Sequence, residues 1–251
     1  MTRVVLIRVL IVAAIVLALE LLCRTGLVGR LTLIPPSEMV IALIQAIRTE
    51  EWFWPDVLYT LRNLFVAIVI SIVGGFFVGV TIHSLPRLRR ILDPLLSSYY
   101  SVPTFVLYPL LIVFFGIGPL SLIAMGALFG IVAMISSTIG AIDRIPSVLL
   151  RVARVSHLDP LRTTLLLKLP AAAPHLFTGL KLAVAYSVIG IIAGEFIVAT
   201  AGIGRRLAFA YNDFDNRTMY AVLLLILVFV GTLNGLLGMW ERRIHARWYR
   251  Q

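Results

Sequence analysis

The chain has 251 residues, of which 60% are hydrophobic and only 14% charged, and its mean hydropathy is +1.01. No ordinary soluble domain of this size has that composition, so residues 1–251 are read as one all-helical, polytopic membrane domain. The net charge of +10 is divided among several loops and forms no single aromatic-studded face, which excludes nucleic acid as a partner and leaves membrane topology and contact with the lipid bilayer as its meaning.

A membrane span needs about 20 largely apolar residues, and six stretches qualify: 4–22, 57–82, 91–115, 119–142, 176–200 and 219–240. The first is too long for the core of a signal peptide and is followed by Glu20, Cys23 and Arg24 with no small-residue cleavage site, so it is expected to be retained. Lone Cys23 excludes an internal disulfide. After it, Pro35-Pro36-Ser37 opens a segment with Met39, Val40, Leu43, Ile44 and Ile47 at helical spacing, an amphipathic helix expected to lie on the outer membrane surface. It either touches an external protein or packs across the bundle.

In the second span Gly74, Gly75 and Gly79 allow close helix approach, which is how helices associate where the lipid is as apolar as they are. The third span is interrupted by Tyr99, Tyr100, Ser101, Pro103 and Pro109, and broken helices of this kind belong inside a bundle. Tyr100, Thr104 and Tyr108 recur every four residues and so are expected to share a face. That face lines a translocation pathway or makes an ordinary helix contact. Ser136, Ser137 and Thr138 in the fourth span can bond back to their own helix or across to a neighbour.

Between the fourth and fifth spans, residues 143–174 are polar and too long to be an unstructured connection. Two short helices are expected there. Ser147 caps the first, which includes Leu150, Arg151, Val152, Ala153 and Arg154. Asp159 caps the second, Pro160 suits its first turn, and Pro170 after Leu169 ends it. In the fifth span Glu195 is costly at membrane depth, so it is expected to pair with Arg205, Arg206 or Arg62, or to take part in gating. Beyond it comes an outer loop with Gly202 and Gly204 and a short helix near 205–211. Trp240 and the arginines that follow anchor the last span at an interface.

With both termini on the inside, fifteen of the 22 basic residues, including those of the 143–174 loop, fall on that side. The excess of positive charge places it in the cytoplasm. No catalytic set is visible. No phosphate-cradling glycine loop ends in Lys and Ser or Thr, so ATP is not expected to bind here. His83, His157, His175 and His245 lack the spacing of metal ligands.

Arg151-Val152-Ala153, His157, Leu167-Lys168-Leu169-Pro170 and Thr178-Gly179-Leu180 resemble the cytoplasmic coupling loop of ABC-importer permeases. That family pattern reads Glu-Ala-Ala, three residues, Gly, about nine residues, then Ile-x-Leu-Pro. Gly194-Glu195-Phe196, Ala201-Gly202-Ile203-Gly204, Ile34-Pro35-Pro36-Ser37-Glu38 and Phe114-Phe115-Gly116-Ile117-Gly118 resemble the nitrate, sulfonate and taurine branch. Arg151 and His157 depart from the family's glutamate and glycine. The resemblance implies a bacterial inner-membrane subunit for a small solute such as nitrate, a sulfonate, bicarbonate or a related organic anion. It implies four kinds of partner: ABC ATPase subunits that bind ATP and Mg, a second permease copy or a paralogue, an external solute-binding protein, and lipid. A self-sufficient ion-coupled transporter is the alternative, and it would need intramembrane relay groups or an internal repeat.

Overall fold

The computed structural model describes residues 2–29, 32–101 and 104–248; Arg30, Pro103 and Arg250 lie outside them. It is helical throughout, with no strand among the described residues: α1 (Thr2–Arg24), α2 (Pro36–Thr49), α3 (Phe53–Ser84), α4 (Pro86–Ser98), α5 (Tyr108–Phe115), α6 (Pro119–Asp143), α7 (Ser147–Val155), α8 (Pro160–Thr163), α9 (Leu169–Val198), α10 (Ile203–Asn212) and α11 (Asn216–Trp248).

The core is a three-helix sandwich in which α6 lies between α3 and α9. Glycines set the spacing. A Cβ at Gly75 would stand 2.6 Å from the Met134 Cβ, and one at Gly126 2.8 Å from the Ile191 side chain. Such approaches exclude any side chain and let backbones pack directly, the usual basis of helix association in lipid. Serines fill the same layer, with Ser71 Oγ 3.1 Å from Ser187 Oγ and donating to the Ala127 carbonyl at 3.2 Å.

Pairing along the sandwich fixes the direction of each helix. Leu64 and Ala67 of α3 sit level with Leu122 and Met125 of α6, and Ile82 sits level with Ile135 and Ile139. Helices α3 and α6 therefore run parallel, and the chain must recross the bundle between them. Residues 86–115 make that crossing as a broken span: the segments Pro86–Ser101 and Thr104–Phe115 meet at 98°. Single helical turns of 3-10 type, Tyr99–Ser101 and Thr104–Leu107, occupy the bend. With the five other helices that are long and apolar enough to cross, this brings the candidate spans among the described residues to six. Helix α9 runs antiparallel to α3 and α6, placing Ile191 beside Leu122.

Each end of the bundle then has its own set of connections. One end carries the C-terminus of α1, then α2, the start of α3, the end of α9, α10 and the start of α11. Glu20 there accepts hydrogen bonds from the Ser37 amide (3.0 Å) and hydroxyl (2.7 Å). Helix α2 packs along α11 through Ala42 and Ala46, and Arg217 donates to Gln45. Val40, Ile41, Ile44 and Ile47 point outward instead. The other end carries the α3–α4 turn, α7, α8 and the far ends of α6 and α11. Its ion pairs include Arg89 with Asp143 (2.6 Å) and Lys181 with Glu241 (2.8 Å).

Candidate functional site

At the second of these ends, α7, α8 and the start of α9 form a helical hairpin. Pro146, held at φ −60° and ψ 131°, occupies the cap position of α7, and the Leu149 amide donates to its carbonyl at 3.0 Å. Ser147 is thus the first helical residue and its hydroxyl makes no capping bond, contrary to the sequence expectation, because the extended proline already sets the boundary.

The helix closes with a Schellman turn. The Leu158 amide donates to the Ala153 carbonyl (3.0 Å) and the His157 amide to the Arg154 carbonyl (3.2 Å). That motif needs a left-handed residue, and His157 supplies it at φ 49°. The glycine of the resembled loop would take this conformation freely, whereas an L side chain there costs about 1–2 kcal/mol. Ala153 is buried. An open groove of about 400 Å³ lies between the hairpin's two arms, lined by Leu150, Ala153, Arg154, Leu158, Thr163, Thr164 and Lys168.

Pro170 does not end the second arm. Residues Thr164–Lys168 widen into a π turn, with the Leu169 amide reaching back to the Thr164 carbonyl, and the helix continues into α9. Widening the turn ahead of Pro170 moves backbone away from its ring and lets the helix continue past a residue that has no amide hydrogen to donate. The exposed Leu169 and half-buried Pro170 therefore stand in the first turn of a span.

At the opposite end, Glu195 is 1% exposed. Among the described residues it pairs with no arginine, neither Arg205, Arg206 nor Arg62, which corrects the pairing expected from the sequence. The Thr60 hydroxyl donates to it (2.9 Å), as does the Gly204 amide (2.9 Å), and the same Thr60 oxygen accepts from the Ile203 amide (3.0 Å). Beside it Asp56 accepts from the Gly202 amide (3.0 Å) and from Arg206 (3.3 Å), whose guanidinium lies 4.5 Å over the Trp52 ring. Arg205 instead sits over Phe209, and Arg62 is exposed. The first amides of α10 have no partner inside their own helix, so they are available to carboxylates. Gly202, at φ 110°, has no room for a side chain, since a Cβ would approach the Glu195 carboxylate oxygens to 2.5 Å. A Cβ at Gly204 would meet the Glu195 Cβ at 2.6 Å. The Gly-x-Gly pair is what lets the loop close over the acid.

Tyr100, Thr104 and Tyr108 do not share a face, because the chain bends between them. Tyr100 is 43% exposed and stacks on Tyr186 of α9 with ring centroids 4.7 Å apart. Thr104 and Tyr108 are buried, Tyr108 against Leu64, Leu122 and Ile191 in the core near Glu195. Sequence reasoning missed Asp56, Thr60 and Tyr186. A serine, threonine or aspartate at a span end is a weak signal until its partner is known.

The family model described as "Binding-protein-dependent transport system inner membrane component" matches residues 71–248. The chain is 29% identical over 178 residues to the taurine transport system permease protein TauC of Escherichia coli K12, covering 68% of this chain and 64% of that protein. It is 29% identical over 200 residues to the nitrate import permease protein NrtB of Leptolyngbya laminosa, covering 78% and 70%. A probable ABC transporter permease protein of Haemophilus influenzae is 27% identical over 72% of this chain and 76% of its own length. In fold, the chain is similar to a chain of the inward-facing MetNI methionine ABC transporter, at a TM-score of 0.66 and 21% identity over 76% of this chain and 94% of that one. A match spanning most of the bundle, hairpin and outer loop included, makes this chain a member of the binding-protein-dependent transport family of inner-membrane permease components.

Proposed function

We propose that this chain is the pathway-forming subunit of an ATP-driven importer and that the α7–α8 hairpin is where partner ATPase subunits, holding ATP and Mg, dock. The observation that carries this is the hairpin itself. It is an ordered, capped unit at the end of the bundle, standing between two core spans and built into the base of α9. A scaffold would leave such a unit unexplained, and an ion-coupled carrier would need intramembrane relay groups or an internal repeat instead. Leu150, Arg151, Val152, Ala153, Arg154, His157, Leu169 and Pro170 compose or support it.

The excess of basic residues at the hairpin end supports a cytoplasmic position for that end and for both termini. The end with α10 then faces outward, toward a binding protein that delivers a small solute: nitrate, taurine or another sulfonate, bicarbonate or a related organic anion. Two permease subunits, identical or paralogous, enclose the pathway. The stacked pair Tyr100 and Tyr186, with Tyr100 exposed at its surface, is this subunit's contribution to it. Thr60, Glu195 and the start of α10 act as a clasp on the outer side. In the mechanism, closure of the ATPases draws the two hairpins together, and rigid-body rotation reopens the pathway outward.

Purification from native membranes is the test. A stoichiometric ATPase is expected with the chain, and uptake is expected to stop when residues 147–168 are deleted while membrane insertion persists. Solute movement in vesicles that contain this chain and no ATPase would instead establish the ion-coupled alternative.

A further inference from the structure

The outward face of α7 points to a specific kind of docking partner. Val148, Arg151, Val152 and Val155 fall at i, i+3, i+4 and i+7, so they form one helical face. All four are exposed, the valines by 56%, 46% and 80%. On the opposite face Ala153 is buried in the hairpin. Arg151 therefore stands inside an apolar stripe, flanked along the helix by valines. It makes no hydrogen bond or ion pair among the described residues.

Charge around the stripe has one sign. Between 144 and 168 the chain carries Arg144, Arg151, Arg154, Arg162 and Lys168 against the single acid Asp159, which lies 3.4 Å from Arg162. The neighbouring Asp143 is held by Arg89 at 2.6 Å. Nothing within the hairpin neutralises Arg151, Arg154 or Lys168. A stripe like this gains by burial only if the surface that covers the valines also brings a negative charge to the arginine, since an unpaired charge resists desolvation.

We infer that the ATPase partner covers this face with a groove whose walls are apolar and whose centre holds a carboxylate facing Arg151, with further acids toward Arg154 and Lys168. This rests on the docking role proposed above and goes beyond it by naming the partner's chemistry. An anionic membrane surface fits the arrangement less well. Helices that lie on lipid keep their cations at the flanks of the apolar face, where they reach the headgroups, whereas Arg151 sits within the face.

The test uses the full chain purified with the ATPase that accompanies it, measuring the amount of ATPase retained across a salt series. Wild-type retention is expected to fall as salt rises. Arg151→Glu is expected to weaken retention at least tenfold, Arg151→Lys by much less, and replacement of the facing ATPase carboxylate by lysine is expected to rescue Arg151→Glu. Val152→Asp serves as a control for the stripe. Retention lost in Val152→Asp but unchanged in Arg151→Glu overturns the acidic groove and leaves docking intact. Retention unaffected by either overturns the use of this face, and absence of any ATPase from the wild-type preparation overturns the docking role as well. Loss of binding to vesicles of anionic phospholipid in Arg151→Glu, with ATPase retention unchanged, assigns the stripe to the membrane and overturns the inference.

Discussion

The two ends of the bundle treat their polar groups in opposite ways. Around Glu195 the carboxylates and the first amides of α10 are matched inside the protein, and two glycines are given up to bring them together. Around α7, Arg151 and Arg154 are exposed and have no charged partner among the described residues, valines face outward, and His157 sits in a backbone conformation that favours glycine. The clasp end is closed within this chain, while the hairpin end leaves an apolar, basic face open, the face that the docking proposed above would cover. Substitutions at the first should cost stability, and substitutions at the second should cost activity.

The largest expected effect comes from closing off the room above Glu195. Gly202→Ala forces a Cβ onto the carboxylate and into a positive φ, at about 3 kcal/mol or more, read as a large drop in thermal stability of the detergent-solubilised chain. Glu195→Ala comes next: it leaves the Thr60 hydroxyl and the Gly204 amide buried without an acceptor, costing about 2–3 kcal/mol, whereas Glu195→Gln keeps one acceptor and should cost roughly half. Equal losses for both would mean that the clasp depends on charge more than on hydrogen bonding. Val152→Asp, on an exposed face, should shift stability by less than about 0.5 kcal/mol while abolishing ATP-dependent uptake. A large stability loss there would erase the contrast between the two ends. The last effect is confined to the hairpin and runs the other way. His157→Gly should stabilise the hairpin locally by about 1 kcal/mol, visible as slower hydrogen exchange of the Leu158 amide that bonds to Ala153.

The spans and the hairpin were legible in the sequence because hydropathy over about 20 residues and the distinctive loop pattern are both local signals. The errors arose where the outcome depended on contacts between distant segments. Pro170 was read as a terminator because a proline disrupts an ordinary helix, and only the preceding π turn makes it compatible with continuation. Tyr100, Thr104 and Tyr108 were placed on one face on the assumption of an unbroken helix, which the bend at 86–115 removes. For Glu195 the sequence offers arginine pairing or a part in gating, because opposite charge is visible in a sequence. Backbone amides presented by a loop seven to nine residues later are not.

Because the π turn lets the chain pass without interruption from Thr164 to Val198, the leucines at the foot of the hairpin and the carboxylate at the far end of the bundle belong to one rod. From Leu166 to Glu195 that rod measures about 44 Å at the usual rise per residue. Leverage follows directly: with the foot as pivot, a lean of about 10° would carry the tip through roughly 8 Å. A displacement of that size relative to α3 and α10 exceeds the reach of any hydrogen bond at Glu195, so under the docking proposed above a push at the hairpin would bear on the clasp through the helix itself, with no relay of intermediate side chains.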